Sequence, residues 1–125
     1  MTHRAVNHVD WSIPFGFDQA RLVEAPTRWL VCSGQTSIGP DGAVQHPGDM
    51  AAQIADAMTS LEALLAAADM TLADVVRVTA YVTDMDAFIA APRDARAETW
   101  ALTLIGVSRL AYPELMVELE AIAAK

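Results

Sequence analysis

At 125 residues, the chain is long enough for one domain with one hydrophobic core and too short for two. Its formal net charge is −8, from 16 acidic against 8 basic residues, and its only lysine is Lys125. Binding to nucleic acid through phosphates needs clustered lysine or arginine, so this composition disfavours a nucleic-acid partner. The lack of an internal lysine also excludes Schiff-base chemistry on a buried amine.

Cysteine and histidine usage argues against metals and disulfides. Cys32 is the only cysteine, and His3, His8 and His46 are not spaced as metal ligands, so we expect no metal site. No segment has the roughly 18 consecutive apolar residues of a membrane span, and the first residues lack the apolar run of a signal peptide. We therefore expect a cytoplasmic protein with no membrane partner.

The first half of the chain predicts two strands, a turn and a long helix. Residues 19–24 and 27–32 have the pattern of short strands, and Pro40-Asp41-Gly42 is a turn because proline presets φ and glycine accepts a left-handed backbone. The helix begins after Asp49, a favourable N-cap residue. Its apolar residues recur at spacings of three and four on one stripe: Met50, Ile54, Met58, Leu61, Leu65 and Ala68.

The second half alternates strand, helix and strands. Residues 75–83 are β-branched and aromatic, which predicts a strand with Arg77, Thr79 and Tyr81 on one face. Its other face carries Val76, Val78, Ala80 and Val82.

A second helix is predicted from about Asp86 and is broken at Pro92, which a helix interior does not tolerate. Strands over residues 102–108 and 115–123 follow. This order predicts one α+β domain over residues 1–125, in which two helices cover one face of a mixed sheet.

Two carboxylates share one face of the last strand. Because side chains alternate across a strand, Glu118 and Glu120 point the same way, about 7 Å apart. Such a pair is solvated, paired with arginine, or tuned for proton chemistry, and the sequence leaves these alternatives open.

The sheet face opposite the helices is predicted to lack a cover. We expect that face to carry Leu102, Leu104, Met116 and Tyr81 beside Glu118, Gln35 and Arg77. Exposed apolar surface of this kind predicts a partner, and the simplest partner is another copy of the chain.

From about Phe15 to the C-terminus, a combination of short motifs resembles the Rid family (RidA/YjgF, reactive-intermediate imine deaminases). Each motif alone is weak, and their combination is specific. The motifs are Ser33-Gly34-Gln35, Pro40-Asp41-Gly42, Ala51-Ala52-Gln53, Leu72-Ala73-Asp74-Val75-Val76, Tyr81-Val82-Thr83-Asp84, Gly106-Val107-Ser108-Arg109-Leu110 and residues 117–123.

The resemblance implies a chorismate-mutase-like homotrimer with small-molecule sites in clefts between subunits and with no metal or organic cofactor. Gly34 and Gln35 match the family's ligand-cleft turn, and Glu118 matches the acid that holds the water used in imine hydrolysis. Glu118 and Gln35 are therefore the candidate catalytic residues. The candidate ligand-binding residues are Phe17, Gly34, Tyr81, Leu102 and Leu104.

Two positions depart from the family pattern. Phe17 stands where deaminating members have a tyrosine, and Leu102 stands where they have the arginine that grips the substrate carboxylate. An unpaired carboxylate in a cleft costs on the order of 3–5 kcal/mol, so ordinary 2-iminoacid deamination should be feeble. Residues 87–101 are shorter than the family's second helix, and Arg93 or Arg96 in that segment is the alternative carboxylate partner.

Three functions remain open at this stage. The first is an enzyme acting on an imine, enamine or related carbonyl compound, with Glu118 as general acid/base or water-holding group and with Gln35 and amides near Gly34 polarising the ligand. The second is a non-enzymatic ligand-binding or sensing trimer in which Glu118 is structural. The third is the endoribonuclease activity whose label the family sometimes carries, which the acidic, lysine-poor composition disfavours.

Overall fold

A mixed sheet with two helices forms the centre of the computed structural model, which describes residues 2–125. The helices are α1 (Met50–Ala67) and α2 (Met85–Ala90). The strands are β1 (Thr2–Val6), β2 (Phe17–Asp18), β3 (Ala20–Glu24), β4 (Trp29–Val31), β5 (Val75–Val82), β6 (Trp100–Gly106) and β7 (Val117–Ala124).

The five-stranded sheet has the order β2-β6-β5-β7-β4. Strands β2, β6 and β5 are parallel, whereas β7 is antiparallel to both β5 and β4. Strands β1 and β3 form a separate antiparallel ribbon. The α+β class and the mixed sheet are thus confirmed. The two strands predicted over residues 19–24 and 27–32 are present, but they belong to different sheets.

Helix α1 forms where the apolar stripe predicts it. The Asp49 carboxylate accepts a hydrogen bond from the Ala52 backbone N–H at 3.1 Å, which confirms the N-cap. The stripe packs into the main hydrophobic core against β5 and β7. A fully buried glutamine interrupts it: Gln53 accepts from the Met116 N–H at 2.8 Å and donates to the Glu114 carbonyl at 3.0 Å. Gln53 therefore links helix α1 to the residues that lead into β7.

Helix α2 is short, for the reason that the sequence indicates. Asp84 caps its start by accepting from the Ala87 N–H at 2.9 Å. Its end is set by Pro92, because the residue before a proline avoids helical angles, and Ala91 has φ −66° and ψ 142°. The chain then runs as a loop over residues 92–99, so α2 covers only part of the sheet.

The strand register corrects one prediction about the open face. Leu102 pairs with Val78 and Leu104 with Ala80, both buried core residues, so these leucines lie on the helix side of the sheet. Met116 also packs against the core rather than on an exposed patch.

The opposite, open face carries Arg77, Thr79 and Tyr81 as predicted, and the Arg77 guanidinium donates to the Thr103 hydroxyl at 3.0 Å. Its exposed apolar surface comes instead from Ile105 of β6 and from β4. Val31 pairs with Ile122 there and is 74% exposed, and Trp29 is 55% exposed. Within residues 2–125, no helix is both long enough and apolar enough to cross a membrane.

Candidate functional site

The candidate turn 33–35 is fixed directly against β7. The Gln35 N–H donates to the Leu119 carbonyl at 2.7 Å, and the Leu119 N–H donates to the Gln35 carbonyl at 2.9 Å. These bonds bring Gly34 alongside Glu118, and a methyl group on Gly34 would overlap the Glu118 side chain, with its Cγ only 2.6 Å away. Gly34 is not left-handed, so this position needs glycine for space rather than for φ.

The second carboxylate of the face is bonded to a tyrosine. Tyr81 donates its hydroxyl hydrogen to the Glu120 carboxylate at 2.7 Å, and Tyr81 pairs with Glu118 across β5 and β7. The hydrogen bond to Glu120 raises the pKa of Tyr81 above its ordinary value, and burial and the charges of both glutamates add to the rise. Arg77 acts in the opposite direction.

The Glu118 carboxylate has no such partner within the chain. No arginine, and no other donor in residues 2–125, forms an ion pair or hydrogen bond with it. The arginine-paired alternative therefore does not hold within one protomer. Gln35 does not reach it either, because its side-chain amide donates to the Ser33 carbonyl at 3.0 Å.

A cavity of about 540 Å³ lies on the other side of the sheet, where α2 ends early. This volume lies within the roughly 300–1,000 Å³ of small-molecule sites. Its walls are mostly apolar and include Phe17, Met58, Phe88, Trp100, Leu102 and Leu104.

The N-terminal segment closes one side of this cavity. Trp11 packs edge-to-face on Phe15 and Phe17, with ring centroids 6.4 and 5.7 Å apart. Sequence reasoning did not assign Trp11 to a ligand wall and did not single out Trp100. In the sequence, the feature that could have indicated this wall is the run of aromatic, proline and glycine residues over positions 11–17.

The two candidate arginines have different environments. Arg93 borders the cavity, and its guanidinium lies on Gly16, where φ is +84° and any side chain would collide with it. Its hydrogen bond goes to the Ala97 carbonyl at 3.3 Å.

Arg96 points away from the cavity and links the loop over residues 92–99 to helix α1. It pairs with Asp94 and with Glu62 at 3.0 Å each, and it donates to the Ala55 carbonyl at 2.8 Å. Its hydrogen bonds hold the pKa of the Asp94 carboxyl below the ordinary value. Arg96 is therefore a structural residue in this chain.

The candidate residues thus form two groups on opposite faces of the sheet. Phe17, Leu102 and Leu104 line the cavity. Gly34, Gln35, Tyr81 and Glu118 lie along β7 on the open face or at its edge. One protomer does not bring the two groups together.

No set of three or more histidine, cysteine or carboxylate side chains in residues 2–125 is grouped to hold a metal ion. Cys32 is buried, and burial raises the pKa of its thiol, which disfavours the reactive thiolate.

Comparison with known proteins shows related sequences and folds. A family model described as Endoribonuclease L-PSP matches residues 19–125. The RutC family protein PH0854 of Pyrococcus horikoshii is 34% identical over 102 residues, which are 78% of this chain and 79% of that protein.

Among solved structures, the conserved Rid family protein YyfB of Yersinia pestis is 32% identical. It covers 100% of both chains with a TM-score of 0.86, and its function is described as unknown. The YjgF gene product of E. coli is 26% identical, covers 87% of both chains and has a TM-score of 0.65.

Proposed function

The chain belongs to the Endoribonuclease L-PSP family, whose relatives carry the names Rid and YjgF, and from this premise we propose that it acts on an imine, enamine or related carbonyl metabolite. Its sites are clefts between the copies of a homotrimer, and Glu118 is the general acid/base or water-holding group. We propose further that residues 1–125 form one domain and that no metal or organic cofactor takes part.

The observation that carries this proposal is the separation of Leu102 and Glu118. Leu102 faces the helices, whereas Glu118 faces away from them, so no movement within one folded sheet brings both to the same ligand. A site that uses the cavity and the carboxylate together needs the cavity of one copy and the β7 edge of another. An interface between two different surfaces of one chain forms a ring when its rotation closes after three copies, as a trimer requires.

The open face offers a surface for that contact. Trp29 and Val31 are exposed on it beside Ile122, and large apolar side chains grouped in this way favour association. Association would also remove water from Glu118. A carboxylate in such a cleft is well placed to act as a base.

The chemistry balances with a single water molecule. Glu118 accepts a proton from the water while the water oxygen bonds to the carbon of the C=N group, and the proton is returned to nitrogen. Glu118 then takes the hydroxyl proton of the resulting carbinolamine and delivers it to nitrogen as the C–N bond breaks, which releases ammonia and leaves the carbonyl compound. Backbone N–H groups near Gly34 would polarise the reacting group.

Leu102 limits the substrates. Leu102 lies on the strand wall of the cavity, at the position where the family resemblance implies an arginine in deaminating members. A small 2-iminoacid would then find no cation on the strand. We therefore expect the wild-type protein to hydrolyse imines of small amino acids only feebly.

Ammonia release from enzymatically generated 2-iminoacids tests the proposal. Wild type, Leu102→Arg, and Leu102→Arg with Glu118→Ala are compared. We expect partial gain of activity in Leu102→Arg, incomplete because Phe17 lacks a hydroxyl, and loss of that gain when Glu118 is removed. Activity in the double variant equal to that of Leu102→Arg would refute the role of Glu118.

A non-enzymatic binding protein is the second candidate. The observation that favours it is that one chain already contains a cavity of ligand size without Glu118. In that case Glu118→Ala would leave both ligand affinity and every measured turnover rate unchanged.

A further inference from the structure

We propose that Arg93 holds the carboxylate of a ligand with a bulky apolar tail, such as an arylalkanoate, and that the tail fills the cavity beside Phe17 and Leu102. This inference rests on the proposed function for the location of the site, and it names the ligand class and a specificity-determining residue.

Arg93 has no carboxylate partner in the described part of the chain, whereas two other arginines do. Arg21 pairs with Asp18 at 2.8 Å, and Arg96 pairs with both Asp94 and Glu62. Arg93 has instead the single long hydrogen bond to the Ala97 carbonyl. A guanidinium has five N–H donors in a planar fork that matches a carboxylate, so most of its binding capacity is unused.

Arg93 is positioned at the cavity by its surroundings. Its guanidinium lies against Gly16 and occupies the space that a side chain at position 16 would need. Gly16 ends the turn that carries Pro14 and Phe15, and these residues also border the cavity. The cation therefore lies where the aromatic N-terminal segment meets the 92–99 loop.

Acidic residues also lie near Arg93. Asp94 and Glu98 also border the cavity and oppose an anion there. Asp94 is compensated by Arg96, whose hydrogen bonds reach both of its carboxylate oxygens. Glu98 remains, and it forms no ion pair with Arg93 among the described residues. Arg93 is therefore the cation at this border that has no carboxylate partner within the described part of the chain.

The walls of the cavity suit an apolar ligand tail. Aromatic rings of Trp11, Phe17 and Trp100 surround a volume of about 540 Å³ that suits a flat apolar group. Trp100 is 7% exposed, so it forms a largely buried part of this wall.

The aromatic wall over residues 11–17 lies before residue 19, where the match to the family model begins. A ligand preference set by this wall would therefore depend on residues outside the part of the chain that the family model matches. Binding by Arg93 is also compatible with a leucine at position 102, because the carboxylate is held at the border of the cavity instead of at the strand.

Binding of 3-phenylpropionate and its uncharged amide, measured by calorimetry, tests the proposal on the intact protein. We expect wild type to bind the acid roughly ten- to hundred-fold more tightly than the amide, as a charge-assisted hydrogen-bond pair implies. Arg93→Gln should reduce that ratio to about one without weakening the amide. Arg93→Lys should keep part of the preference, and Arg109→Gln, at an exposed arginine bonded only to backbone carbonyls, should keep all of it.

Retention of the acid preference in Arg93→Gln would overturn the proposal, as would wild-type protein that binds neither compound at millimolar concentration. Glu118→Ala separates this inference from the proposed function. If Arg93 selects the acid but Glu118→Ala changes no turnover, only the proposed reaction fails. If Glu118 is needed for turnover but the acid has no advantage, only the role of Arg93 fails.

Discussion

The side chain of Glu118 lies directly against the backbone of Gly34, with no room for a side chain between them. Two backbone hydrogen bonds between Gln35 and Leu119 hold the segments in this position. The glycine therefore sets where the carboxylate is, and Glu118 keeps its oxygens free of any other donor in residues 2–125.

Replacing Gly34 by alanine should force Glu118 or the turn to move. We expect Gly34→Ala to lower the free energy of unfolding in urea by about 1–3 kcal/mol, the usual cost of overpacking. Gly106→Ala is the matched control, because a Cβ there meets only the Met85 Cε at an ordinary 3.5 Å. Adding Glu118→Ala to Gly34→Ala should recover most of the loss. Equal stability of the two glycine variants would show that the contact is not tight.

Tyr81 should ionise above its ordinary pKa of about 10, because ionisation breaks its hydrogen bond to Glu120 and places a charge near Glu118. A group whose pKa is raised on folding stabilises the protein below its unfolded pKa, and this contribution is lost as pH rises through the folded value. In a Tyr112→Phe background, absorbance at alkaline pH should give a lower Tyr81 pKa after Glu120→Gln. An unchanged titration would contradict the role of the hydrogen bond.

The Asp94–Arg96 pair should stabilise the loop in a pH-dependent manner. The pKa of Asp94 is lowered, so its contribution is present above the unfolded pKa of about 4 and is lost as pH falls through the folded value. Because the Arg96 side chain is 37% exposed, Asp94→Asn should cost only roughly 1 kcal/mol at neutral pH. Urea unfolding should show that the difference in free energy of unfolding between wild type and Asp94→Asn becomes smaller at acidic pH. Asp10→Asn, in an exposed loop, should show no such trend.

Assembly should depend on the open face. We expect the wild type to sediment as a trimer at micromolar concentration and Val31→Glu to dissociate it, because a charge would be buried where apolar surface is now exposed. Val9→Glu, at a partly exposed valine outside the sheet, should remain trimeric. Wild-type protein that sediments as a stable monomer would contradict the proposed cleft between subunits.

Local patterns were predictable from sequence, and long-range register was not. The stripe and cap of α1, the break at Pro92 and the shared face of Glu118 and Glu120 all follow from neighbouring residues. The face of Leu102 does not. Both faces of β6 carry apolar residues, so only pairing with Val78 of β5 decides which side is buried.

The candidate site shows the same division. The motifs place Gly34 and Glu118 in separate segments, and only the pairing of Gln35 with Leu119 brings them together. The different positions of Arg93 and Arg96 depend on a loop without periodicity. Strand β1 was missed because its central residues are polar, and strand β2 was missed because it has only two residues. Neither gives the alternating pattern that identifies a strand.

Mixing subunits tests the central claim, that Leu102 of one copy and Glu118 of another face the same ligand. Wild type has Glu118 but leucine at 102, and Leu102→Arg with Glu118→Ala has the reverse, so each homotrimer alone should release ammonia only feebly from 2-iminoacids. Unfolding and refolding the two together should create clefts with both groups, and the rate should exceed the sum of the separate rates. A rate equal to that sum, with Leu102→Arg alone active, would place the site within one chain and contradict the account.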